Sequence, residues 1–341
     1  MFLSPANDFH GRIGDLPSAV DEIQSKDWRV TCSPHHNHQD TPEYEVATQL
    51  WFDQHLRKSF EWSKTPATKL TLKTETGVPQ LEMFPDAGRE VLSVDVFYTQ
   101  HGKVPETRFD NTDVKTRFWH HAKAEANGET WTAALPLEST ERPLWVYANL
   151  TYALEQPVVG AGYYYGVYSA ETYNVSTLLQ KVSAEDVAKS GVQATLKASS
   201  VIERFEGDWR KQWFSYRPQE WSMSTHKLRS PVWEAPVGAS LSFRVRTDEA
   251  NTLVVRIDDH VAVVELTAAE SADGDWQSVS LTAVDFVNFD EKPLQSWDGV
   301  RTLKLSHSEE LRASPGKQGR RRVGSVWKGA APEFRDLQWK I

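Results

Sequence analysis

The residues best able to do chemistry stand near the start of the chain: Asp8 and His10, then His35, His36, His38 and Asp40. An imidazole can take a proton from a nucleophile, and a carboxylate behind it fixes the tautomer and stabilises the imidazolium that forms. The same residue types are ordinary Zn²⁺ ligands. The spacing His35-His36-x-His38 falls in a turn after Pro34 and does not match the helical His-x-x-x-His spacing of zinc proteases. Three readings stand at this point: the acid–base part of a catalytic triad, a metal centre, or exposed turn histidines.

The elements around these residues bring acid and base together. A short apolar strand ends in the polar turn Ser4-Pro5-Ala6-Asn7-Asp8. A helix carrying Leu16, Ala19, Val20 and Ile23 crosses back, and residues 28–32 form a second strand. That is a βαβ unit, and in open α/β sheets working groups collect at the carboxyl ends of the strands. Asp8 ends the first strand, and the histidine cluster ends the second. A further helix follows, with Thr41 placed to cap and Pro42 at the first position. Glu43 and Glu45 lie in its first turn, and Tyr44, Ala47, Leu50, Trp51 and Leu56 form its apolar stripe. Two strands and two helices cannot cover both faces of a parallel sheet. The segment is therefore expected to be poorly supported alone, with an incomplete sheet open to self-association.

The turn "SPANDF" and the run "SPHHNHQDTPEYEVATQLWFDQHL" resemble the acid turn and the catalytic-histidine turn with the last helix of an α/β-hydrolase. In that fold the chain order is nucleophile, acid, histidine. More narrowly, these residues resemble the acetyl-xylan-esterase and PhoPQ-activated pathogenicity-related groups of secreted bacterial hydrolases. The resemblance covers about sixty residues. It implies Asp8 as the acid, His38 as the base, no cofactor for catalysis, and acylated carbohydrate or polysaccharide as substrate. It also implies a secreted or periplasmic full-length protein. No Gly-x-Ser-x-Gly elbow occurs in the chain, so the nucleophile, further strands and a signal peptide are expected upstream of residue 1. Without nucleophile and oxyanion donors the chain should be a weak esterase or none.

At 341 residues, two or three domains are expected. The net charge of −9 argues against a nucleic-acid partner, which needs a basic surface. Only residues 317–322 are locally basic, and they read as a solvated loop. No apolar run is long enough for a membrane helix. The single cysteine, Cys32, excludes an intramolecular disulfide and reads as a small buried hydrophobe. Fourteen tryptophans point either to β-sandwich cores or to exposed sugar platforms.

From Lys69 the hydrophobic period changes to two. Short alternating strands separated by Gly, Pro, Asn and Asp turns predict an immunoglobulin-like or fibronectin-like antiparallel sandwich over residues 68–180. There "GAGYYYGVYSAETYNV" reads as a paired aromatic strand or a sugar-facing surface, and His120 and His121 read as surface residues of a strand. After a polar connector, residues 198–341 resemble the galactose-binding-like jelly roll of carbohydrate-binding modules. The resemblance is carried by "FEGDW" at 205–209, "WQSVSLTAVDF" at 276–286, "PLQSWDGV" at 293–300 and "PEFRDLQW" at 332–339. It implies pairing of first and last strands, which would gather Glu206, Asp208, Glu333 and Asp336. Such oxygen ligands suit a structural calcium, and solvated acids at strand ends are the alternative. Trp213, Tyr216, Trp221 and Trp233 are candidate stacking platforms for pyranose rings, against simple loop packing. Trp209, Trp276, Trp297 and Trp339 read as core.

The expected fold is thus mainly β with a small α/β part: a partial hydrolase βαβα unit over 1–62, then two antiparallel sandwiches. Two functional readings follow. One is the C-terminal portion of a carbohydrate esterase or deacylase of serine-hydrolase type; the other is a non-catalytic carbohydrate-binding protein.

Overall fold

The computed structural model describes residues 1–10, 13–39, 41–102, 112–162, 166–217, 220–269, 275–313 and 318–341. Asp40, Tyr163, Tyr164, Tyr165 and Lys317, all within stretches singled out above, lie outside the described residues. The chain is mainly β, built from several antiparallel sheets, and divides into two compact units, Met1–Lys197 and Ala198–Ile341.

In the first unit, strand β1 (Phe2–Pro5) pairs in parallel with β2 (Val30–Ser33), in the register Phe2 to Val30 and Pro5 to Ser33. Helix α1 (Leu16–Glu22) connects them and buries Leu16 and Val20. Helix α2 (Pro42–Phe52) follows β2 with Pro42 in its first turn, and buries Tyr44, Val46, Ala47 and Leu50. Its end departs from the expected stripe. Residues Asp53–Arg57 wind as a π turn that stops at Lys58, whose φ is 58°. A wider turn rotates the side chains off the helical face, so Leu56 is exposed.

The rest of this unit forms two antiparallel sheets. The long strand Leu144–Gly162 lies between Gly166–Ser176 and Val91–Thr99, with His120–Lys123 beyond the latter and Gln180–Val182 also paired to the long strand. Ala67–Thr71, Gln80–Phe84, Thr130–Ala134 and Glu125–Asn127 make the second sheet. Period-two alternation sends successive side chains to opposite faces. Val94, Val96, Val146, Ala148 and Leu150 face a core shared with Leu81, Met83 and Ala133 of the second sheet. Phe97, Trp145 and Tyr147 point the other way, onto Ala6, Ile13, Leu16, Val20, Val30 and Cys32. The βαβ segment is therefore covered by the outer face of an antiparallel sheet instead of by a second helical layer, and every residue of β2 is buried. Both cores combine residues from before and after position 68.

The second unit has two four-stranded antiparallel sheets around one core. The first strand, Val201–Glu203, pairs with the last, Glu333–Lys340, which continues to Ser240–Arg246 and Gln277–Leu281. Met223–Thr225, Leu303–Ser306, Asn251–Ile257 and His260–Leu266 form the other sheet. Trp297 and Trp339 are core, and each indole N–H is satisfied, by the carbonyls of Ala239 at 2.7 Å and Trp233 at 3.0 Å. A hairpin, Ser308–Arg312 with Arg320–Gly324, stands beside these sheets.

Candidate active site

The parallel pairing of β1 and β2 continues past their ends as the Ala6 N–H donates to the Ser33 carbonyl at 2.9 Å, and the Asn7 N–H to the His36 carbonyl at 2.9 Å. These bonds hold the acid turn against the histidine turn. The Asn7 amide, wholly buried, locks both to the segment that leads into the strand His120–Lys123. Its Nδ2 donates to the carbonyls of Arg117 at 2.8 Å and Lys115 at 3.2 Å, and its Oδ1 accepts from the Trp119 indole at 2.9 Å. Sequence reasoning missed Asn7. Its position inside "SPANDF" was visible, but apart from the His35 carbonyl its partners lie more than a hundred residues away.

On this support Asp8 meets His38. His38 Nδ1 is 3.0 Å from Asp8 Oδ2, and the two side chains are 65% and 5% exposed. The second carboxylate oxygen accepts the His10 backbone N–H at 2.7 Å, so both oxygens are held. A carboxylate only accepts hydrogen bonds, so this contact calls for a proton on Nδ1, which in the neutral imidazole leaves the lone pair on Nε2. The His10 ring packs edge-on against His38, centroids 5.1 Å apart. This is the arrangement of a general base with its orienting acid.

The other two histidines are used differently. His35 is fully buried with φ of 63° and stacks on Phe118 at 5.6 Å. His36 Nδ1 is 2.6 Å from the buried Ser33 hydroxyl. Among the described residues no group of three or more His, Cys, Asp or Glu is placed to hold a metal ion.

Nearby, Arg117 is buried beneath the acid turn, donating to the Gly102 carbonyl at 2.6 Å and lying 5.0 Å from the Trp145 ring centroid. Burial pushes its guanidinium down to about 10. Cys32 is a buried strand residue, its thiol pushed up to about 12 by burial. His120 and His121 do not lie on the surface as expected. Their Nε2 atoms reach Glu138 and Asp95, each at 2.8 Å, with all four side chains at most 10% exposed. Tyr98 stacks on His120, and Phe97 packs against His121, which removes both imidazoles from water.

In the second unit the four platform candidates do not share one surface. Trp213 is buried, and its indole N–H donates to Glu203 at 3.0 Å, beside the buried Lys227–Glu203 pair at 2.8 Å. Trp233 donates to the Val201 carbonyl at 3.0 Å and packs under Lys227. Tyr216 packs edge-on to Phe214. Trp221 lines a cleft of about 870 Å³. Trp209 and Trp276, expected in the core, are half-buried and line the same cleft. Glu333 is bound to Arg246 at 2.6 Å and Asp336 to Arg244 at 3.0 Å, whereas Glu206 and Asp208 sit exposed in the turn before residues Trp209–Gln212. Glu206, Glu333 and Asp336 line this one cleft, with Glu333 and Asp336 already paired with arginines.

Comparison of the chain with protein-family models gave no match, and comparison with curated proteins gave none either.

Proposed function

We propose that Asp8 and His38 are the acid and base of an acyl-ester hydrolase site of the serine-hydrolase type, acting on acylated carbohydrate. The reading rests on one observation: a buried carboxylate with both oxygens held, 3.0 Å from Nδ1 of an exposed imidazole, at the carboxyl ends of adjacent parallel strands. Support also comes from chain order, acid before histidine, and from the "SPANDF" and "SPHHNH" turns. Among the described residues, the His38 ring has Asp8 as its hydrogen-bond partner and no hydroxyl. What remains here is a base able to activate water toward a reactive ester.

The test is hydrolysis of p-nitrophenyl acetate by the full chain against an equal concentration of free imidazole. A rate above imidazole, brought down to that background by either His38→Gln or Asp8→Asn, is the expected result. A rate that His38→Gln leaves unchanged sinks the reading.

A second reading, attachment to polysaccharide without catalysis, is favoured by the aromatic cleft of the second unit, where Phe205, Trp209, Trp221 and Trp276 line one cavity. Aromatic side chains of this kind offer large apolar contact area with polar edges.

A further inference from the structure

The cleft in the second unit is lined by four arginines and four acids; Glu333, Asp336 and Glu220 are paired with Arg246, Arg244 and His307, Glu206 is exposed, and Arg210 and Arg335 are left without a carboxylate among the described residues. Its wall is set by the antiparallel register of Ser240–Arg246 against Glu333–Lys340, which places Arg244 directly opposite Arg335. Like charges in that position oppose strand pairing. Arg244 is neutralised by Asp336, and Arg246 by Glu333. Arg335 has no carboxylate or hydrogen-bond partner among the described residues. Its guanidinium lies 4.2 Å from the centroid of the Trp276 ring. Arg210 repeats the arrangement 4.4 Å over Trp209, also without a carboxylate. A planar guanidinium stacked on an indole keeps its edge N–H donors available, and the stack holds their direction.

Backbone strain collects at the same place. Phe205 and Asp336, at φ of 63° and 52°, are two of the six non-glycine residues with positive φ among the described residues, and both line this cleft. Such conformations are retained where the surrounding structure imposes them, often at ligand sites. The volume of about 870 Å³ is that of a ligand pocket.

We propose that this cleft binds an acidic oligosaccharide, its uronate carboxylates taken by Arg335 and Arg210 and its pyranose rings by the indoles that line the cleft. The proposal rests on the carbohydrate-binding reading of the second unit and adds the class of sugar. The guanidinium fork takes a carboxylate bidentately, as it also does a phosphate, and carboxylate is favoured by what this wall already binds. The neighbouring arginines of the same wall already hold carboxylates, Asp336 and Glu333. A chain of net charge −9 is also better suited to a glycan with one charge per sugar than to a more densely charged polysulfate.

The experiment is affinity electrophoresis of the full chain in gels containing polygalacturonate, neutral xylan or dextran sulfate, with calorimetric titration of trigalacturonate. The expected result is retardation by polygalacturonate above that by xylan or dextran sulfate, weakened by salt. The double variant Arg210→Gln/Arg335→Gln should bind trigalacturonate about tenfold or more weakly, at unchanged melting temperature. Because these side chains are exposed, the variant should fold; Arg335→Lys, which keeps the charge and loses the fork, should be intermediate. Retardation by xylan alone overturns the acidic specificity and leaves the carbohydrate reading standing. No retardation in any gel overturns both. Stronger retardation by dextran sulfate, competition by inorganic phosphate at equal concentration, or wild-type affinity in the double variant overturns the proposal.

Discussion

His38 and Asp8 are thirty positions apart in the chain, and their side chains meet at 3.0 Å with one open to solvent and the other closed from it. The asymmetry matters chemically. A buried carboxylate keeps its field on the imidazole, while the exposed ring leaves the opposite nitrogen accessible to a reacting group. Asn7, one residue before the acid, keeps the turn in place through partners on the segment that leads into the strand His120–Lys123.

Replacing Asp8 by Asn should change which nitrogen of His38 is protonated. An amide turned to offer its NH₂ group would favour the lone pair on Nδ1 and move the proton to Nε2. Long-range ¹H–¹⁵N correlation spectra at alkaline pH should show the Nδ1–H tautomer in the wild type and a shift toward Nε2–H in Asp8→Asn. Identical ring-nitrogen shifts in the two proteins would mean that Asp8 does not orient the ring.

Asn7→Ala should destabilise the first unit well beyond an ordinary surface change. It strands the Trp119 indole N–H and carbonyls of the 115–117 segment in a place closed to water. The expected loss is about 3 kcal/mol, read from urea unfolding. A loss below about 1 kcal/mol would show that water replaces the amide without penalty.

Glu309 gives the second unit a stability that depends on acid. Burial alone would raise its carboxyl, but Lys304, 2.6 Å away, and the bonds from Arg256 and Ser306 outweigh burial and hold it below the ordinary 4.5. A depressed carboxyl contributes fully above the unfolded-state value and loses that contribution as pH falls through the folded-state value. Glu309→Gln should therefore lower stability by about 1–3 kcal/mol at neutral pH. The gap to wild type should narrow below about pH 4. A gap independent of pH would assign the effect to packing.

Two glycines with similar backbone angles should respond differently to alanine. Gly324 has φ of 83°, and a Cβ there would press into the His307 carbonyl and the Val254 side chain. Gly128 has φ of 63° and open space around it. Gly128→Ala should cost about 1 kcal/mol, the backbone contribution alone. Gly324→Ala should cost clearly more, because the neighbouring backbone must move. Equal melting temperatures for the two variants would show that the Ser308–Arg312 hairpin gives way without strain.

The sequence by itself determined the local elements and the residue types at their ends. Pro42 with Glu43 and Glu45 marked helix α2; alternation in "LSVDVFYTQ" marked the strand Val91–Thr99; and the polar turns after two apolar runs marked Asp8 and the histidines. These signals depend on neighbours within a few residues, which is the range over which hydrophobic period and turn chemistry act. Tertiary structure decided which histidine faces the acid. His35, His36 and His38 are equivalent in type, and the positive φ of His35 with its stack on Phe118 turns that ring inward while His38 reaches Asp8. It also decided the fate of His120 and His121, buried against Glu138 and Asp95 where a strand pattern alone reads them as surface. The covering of the βαβ segment and the Arg335–Trp276 stack arise from sheets whose strands are distant in sequence. Pairing register fixes which side chains become neighbours across such strands, and no short window of sequence carries it.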